Sequence, residues 1–330
     1  IGYDAGTAIT TADYNSFYGS YAGEACTTGS SNVAIGFEAG EALTTGQKNV
    51  FIGHEAARSS TINQNCVAIG YQALRDNVDG VDASWDGTVA IGKEAGRSST
   101  GTANVFIGKN CGQSPSGGSN NVYIGDETAA SNQGTYNVAL GWKALGSYGT
   151  HSDGGSFSNS YNIGIGGLTG YGTSASGRYN VMVGFQAMYA RTSATDNIAI
   201  GANSLTALTE GDNNIAVGTD TLKSCTTGNN NTAIGYLSGD AVTTGVQNTL
   251  LGEESGTGIT TGSYNTFSGT NSGKAVTEGE YNCYYGNGSG LVATDGDHNT
   301  GIGRRALYSL TTGSNNATLG SNSGNTLTTG

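Results

Sequence analysis

Three histidines and five cysteines carry most of the acid–base, metal-binding and nucleophilic capacity of this 330-residue chain. His54, His151 and His298 stand far apart in sequence, and their spacing assembles neither a nucleophile–base pair nor a metal triad. Cys26, Cys66, Cys111, Cys225 and Cys283 are odd in number and form no CxxC pair. They are expected to be buried free thiols acting as small hydrophobes. An interchain disulfide is the sharper alternative, and metal binding lacks the ligand spacing. Gly164-Ile165-Gly166-Gly167 is a chance glycine cluster without the helix of a phosphate loop. Asp76, Asp79, Asp82 and Asp86 are the one carboxylate group that could hold a hard cation such as calcium. They lack the EF-hand glutamate and the glycine-rich β-roll nonapeptide, so a solvated acidic loop is the plainer reading. Neither an enzyme nor a bound cofactor is expected.

The elements that position these residues follow from a repeat. Glycines at 2, 19, 36, 53, 70, 92, 108, 125, 141, 166, 184, 201, 218, 235, 252, 269, 286, 303 and 320 mark a beat in which thirteen of eighteen spacings are 17 residues. A period this short means one small unit stacked many times. Counting from that glycine, position −4 is Asn in 16 of 18 repeats, with Cys66 and Thr88 as the exceptions. Position −1 is Ile, Leu or Val in most repeats, −3 is mostly Val, Ile or Thr, and +3 is small. Position +7 is mostly apolar, +8 is mostly Thr, and a second glycine usually sits at +10.

Seventeen residues cannot hold a strand–helix pair with its connections. They suit one rung of an all-β, narrow parallel β-solenoid of about 19 coils, each reading strand, turn, second short strand, turn. At about 4.8 Å per rung the stack is a rod of roughly 85–90 Å. One solenoid is expected over 1–330, with loop insertions at about 75–87 and 146–160. The Asn column (Asn32, Asn49, Asn104, Asn121, Asn197, Asn214, Asn231, Asn248, Asn265, Asn282, Asn299, Asn316) is expected to form a structural ladder that satisfies turn backbone, as Asn ladders do in stacked β-structures. With −3 and −1 taken as inward, −2 points outward. Phe17, Phe51, Phe106, Tyr123, Phe267 and Tyr284 then form an outward aromatic column that another chain should cover.

The segments 32–40 and 231–239, each followed by Thr-Thr-Gly, resemble the repeats of phage tail-fibre and bacterial surface proteins. The Val-Ala-Ile-Gly core is also similar to the head repeats of trimeric autotransporter adhesins, which are left-handed parallel β-rolls. The resemblance covers nearly the whole chain. The repeat is longer than the usual adhesin-head coil, and neither the self-cleaving chaperone domain of such fibres nor a coiled-coil stalk is present. The resemblance implies a structural fibre, filament or adhesin rod that self-associates as a homotrimer or filament, at an extracellular, cell-surface or virion location. Net charge of −12 argues against a nucleic-acid partner, and no apolar run is long enough to insert in a membrane. Both ends fall in mid-repeat without a polar cap, so the coils are expected to continue or to be covered by neighbouring subunits.

The two insertions follow Leu74 and Leu145 on the same edge of the coil. Trp85, Tyr148 and His151 in them could contact a glycan or receptor. A glycan-binding surface protein is therefore one alternative function. An ice-binding solenoid is another, since Thr-Thr pairs such as Thr27–Thr28 and Thr44–Thr45 supply columns of hydroxyls.

Overall fold

The computed structural model describes residues 1–76, 85–113, 118–131, 134–146, 159–172 and 176–329. It is an all-β parallel solenoid with one three-residue strand per coil. The chain divides into two units, Ile1–Gly167 and Leu168–Gly330. The first holds β1 (Ser16–Tyr18), β2 (Val33–Ile35), β3 (Val50–Ile52), β4 (Val67–Ile69), β5 (Val89–Ile91), β6 (Val105–Ile107), β7 (Val122–Ile124), β8 (Val138–Leu140) and β9 (Ile163–Ile165). The second holds β10 (Val181–Val183), β11 (Ile198–Ile200), β12 (Ile215–Val217), β13 (Thr232–Ile234), β14 (Thr249–Leu251), β15 (Thr266–Ser268), β16 (Cys283–Tyr285), β17 (Thr300–Ile302) and β18 (Ala317–Leu319). Within each unit successive strands pair parallel and in register, so Val33 faces Val50 and Thr232 faces Thr249.

The expected second strand is replaced by consecutive tight turns. Positions +2 and +4 take left-handed backbone, as at Glu38 (φ 53°) and Gly40 (φ 58°), which rules out an extended segment. The turns still bond sideways: Gly40 N–H donates to the Ala56 carbonyl at 2.9 Å and Thr44 N–H to the Thr61 carbonyl at 2.8 Å. Nearly the whole circumference is therefore hydrogen-bonded to the next coil, although only three residues of it are extended.

The direction of the strand side chains is opposite to the sequence expectation. The Asn at −4 is buried, as at Asn32, Asn104 and Asn231, and strand alternation then turns −2 inward and −3 and −1 outward. Phe51, Phe106, Tyr123, Phe267 and Tyr284 are all at most 2% exposed, and Phe17 in the first strand is half-buried. These rings are core and not an outward contact column. Each has room because +4 in its own or an adjacent coil is glycine. A Cβ on Gly40 would come within 2.8 Å of the Phe51 ring, and one on Gly273 within 2.3 Å of Phe267. Where −2 is Ala68, Ala199 or Ala216, +4 is instead the buried Leu74, Leu205 or Leu222. In these coils the leucine at +4 fills the space that a ring at −2 takes elsewhere, as close packing requires.

Candidate functional site

Within each unit the Asn column is a polar seam inside the coil. The Asn231 Nδ2 donates to the Gly245 carbonyl at 2.9 Å and to Asn214 Oδ1 at 3.2 Å. Its Oδ1 accepts from the Asn248 backbone N–H at 3.0 Å and from Asn248 Nδ2 at 3.1 Å. One side chain therefore binds the coil before it and the coil after it. The same pattern joins Asn32 to Asn49, Asn104 to Asn121, Asn197 to Asn214, Asn265 to Asn248, and Asn316 to Asn282 through Asn299. At Cys66 and Thr88 the seam thins: Asn49 Oδ1 still accepts Cys66 N–H at 3.0 Å, and Asn104 N–H reaches Thr88 Oγ1 at 3.3 Å.

A second seam runs along +8. Thr209, Thr226, Thr243 and Thr260 each donate their hydroxyl to the carbonyl of the next coil's threonine, at 3.1 to 3.3 Å. These +8 hydroxyls are engaged within the fold, whereas the second threonine of each pair, as at Thr28 and Thr45, is exposed.

The residues proposed for contact or coordination are dispersed. Trp85 is fully buried, its N–H donating to the Ser99 carbonyl, so it is not a receptor contact. It stands at −7, where most coils have the turn glycine, and a large ring with one satisfied donor is better placed inward than in solvent. Asp76 pairs with Arg97 (Nε to Oδ2, 2.8 Å), and Asp86 accepts the Gln64 N–H at 2.8 Å. Asp79, Asp82, Tyr148 and His151 lie outside the described residues. Among the described residues no group of three His, Cys, Asp or Glu side chains could hold a metal ion. His54 lies between Phe37 (5.1 Å) and Tyr71 (5.4 Å), and His298 stacks on Tyr281 at 5.0 Å. An open recess of about 460 Å³ is lined by Glu24, Ala25, Glu41, Ala42, Arg58 and Ser59. Its one cation, Arg58, is already bound to Glu41 at 2.6 Å and Glu38 at 2.9 Å.

Cys26, Cys66, Cys111 and Cys225 are buried, whereas Cys283 sits at an outward position of β16 with partial exposure. Burial pushes the Cys66 thiol up to about 11 and those of Cys111 and Cys225 up to about 12, and raises Cys26 as well. Titration of the native protein with an aromatic disulfide reagent at pH 8 should therefore show one fast thiol, lost in Cys283→Ser. The other four should appear only on unfolding.

What the fold does expose is the outer side of its sheet. In β2–β9 every outward residue is Val, Ile or Leu, and none is charged. Ile35, Ile91, Ile124 and Ile165 are 37–41% exposed. Aromatic rings edge this face: Tyr3, Tyr21, Phe37, His54 and Tyr71 run along one side at centroid spacings of 5.1 to 6.0 Å, and Tyr136 and Tyr161 stack at 5.1 Å on the other. Sequence reasoning missed the face because it assumed that the apolar columns were the buried ones. The signal was available: a large −2 ring coincides with glycine at +4 of its own or the preceding coil, which an inward −2 explains.

No protein-family model matches the chain, and no curated protein matches it. Among the described residues no helix is long and apolar enough to cross a membrane.

Proposed function

We propose that this chain is a structural element of a fibre or filament, a self-associating spacer rather than an enzyme. The observation that carries this reading is the stitching of coil to coil. Backbone bonds, the Asn seam and, along Thr10–Thr61 and from Thr192 onward, the Thr seam run from coil to coil, so coils in those stretches are held to their neighbours by bonds of three kinds. Stability in such an array is a sum of repeat and nearest-neighbour terms, and here the neighbour terms are unusually dense. Among the described residues, chemistry-bearing side chains are taken up by that architecture: His54 and His298 in ring stacks, Arg58 and Arg97 in ion pairs, four of five thiols in the core.

The resemblance to phage tail-fibre and bacterial surface repeats extends the proposal to an extracellular, cell-surface or virion setting. The assembly would be a homotrimer or filament, with receptor or glycan contact belonging to neighbouring parts or loops. Negative-stain electron microscopy of the purified protein over a hundredfold range of concentration tests the proposal. Elongated assemblies that lengthen or bundle with concentration are expected. Isolated single-chain particles at every concentration would overturn it.

A further inference from the structure

We infer that the outward face of β2–β9 is the surface through which one copy of this chain packs against a second copy. The inference rests on the self-associating reading above and adds to it a named surface. Sixteen Val, Ile and Leu side chains stand there in two straight columns, without a charge among them. Five of them (Ile35, Ile91, Ile124, Ile163 and Ile165) are 37–41% exposed and the other eleven are half-buried. A contiguous uncharged apolar face of this kind marks a protein–protein contact rather than ordinary monomer surface.

The occupant is set by the period. Ridges on this face recur at the rung spacing of about 4.8 Å, because Val33, Val50, Val67 and Val89 are in direct register. A complementary surface must carry grooves at the same spacing over eight rungs. Another stack of these coils has that spacing by construction, whereas a helix or an irregular globular surface does not. Two such faces of β-branched side chains interdigitate as stacked sheets do, about 10 Å apart. The rim is polar and aromatic, with Lys48, Lys93, Tyr136 and Tyr161 around the apolar centre, as protein interfaces are arranged.

The test is the mass of the whole chain by light scattering, for the wild type and for Ile69→Lys/Ile107→Lys at the centre of the face. Thr45→Lys, at an exposed turn position, is the charge control. Circular dichroism and thermal melting establish that each variant keeps its fold. The wild type and the control are expected at a multiple of 33.2 kDa. The double variant is expected at the monomer mass, with a dissociation constant raised roughly a hundredfold or more because an ammonium would be buried unpaired. A folded double variant that assembles like the wild type overturns this inference while leaving self-association standing. A wild type that stays monomeric overturns both.

Discussion

Gly235→Ala is expected to break the solenoid at one rung. Gly235 has φ of 140°, a conformation that side chains avoid, and an added Cβ would lie 2.4 Å from the Gly252 carbonyl oxygen. The obstacle is backbone, so no rotamer relieves it. Moving it breaks the Gly252 N–H bond to Ile234 at 2.8 Å, or that of Gly235 to Val217 at 2.9 Å. Backbone strain of about 1–3 kcal/mol and one lost buried bond at about 1–3 kcal/mol together predict a loss of roughly 2–6 kcal/mol, more if both bonds go. Gly320→Ala separates the two causes. Its φ is 120°, but nothing lies within 4 Å of the added carbon, so it should feel only the strain. Urea unfolding of both variants checks the difference, and equal losses would mean that inter-coil contact contributes nothing.

Asn231→Leu is expected to be as damaging for a different reason. Leucine fits the volume but leaves the Asn248 N–H and the Gly245 carbonyl without partners inside the coil. Two orphaned buried backbone groups predict a loss of about 3–5 kcal/mol. Asn231→Thr should cost least, because Thr88 already fills this position and receives the Asn104 N–H. Asn231→Asp adds a pH signature. The buried carboxylate would face the Gly245 carbonyl with no cation beside it, raising its pKa above the unfolded value. A raised acid pKa means that the folded state holds the proton more tightly. Stability of this variant is therefore greatest below pH about 4 and falls as pH rises through the folded pKa. Thermal melts from pH 3 to 8, referred to the wild type at each pH, check the sign.

These variants also mark how much of the molecule was legible in its sequence. The glycine beat specified stacked 17-residue coils and a parallel sheet, because a fixed period leaves few architectures. It did not specify which side of the strand faces in. Ile35 and Val33 look like core by hydropathy, and Asn32 looks like surface. The structure places Asn32 inside because its amide can satisfy a turn carbonyl and the neighbouring amide at once. That benefit exists only between stacked copies, so it cannot be judged from one repeat alone. The same blindness moved Phe51 and Phe267 from core to surface. It also left the real candidate interface, the Val and Ile columns, unrecognised. Trp85 was misplaced for a simpler reason: an insertion interrupted the count, and the tryptophan stands at a turn position that glycine usually fills.

Hydroxyl-radical footprinting of the native protein at low and high concentration tests the central claim most directly, since it reads side-chain direction and face coverage together. Ile35, Ile69, Ile107 and Ile124 are expected to be labelled in dilute solution and protected at high concentration. Phe51, Phe106 and Phe267 should stay unlabelled at both. Labelling of those phenylalanines with protection of the isoleucines in dilute solution would reverse the sheet's two sides. Labelling of the isoleucines that does not change with concentration would leave the face without a partner.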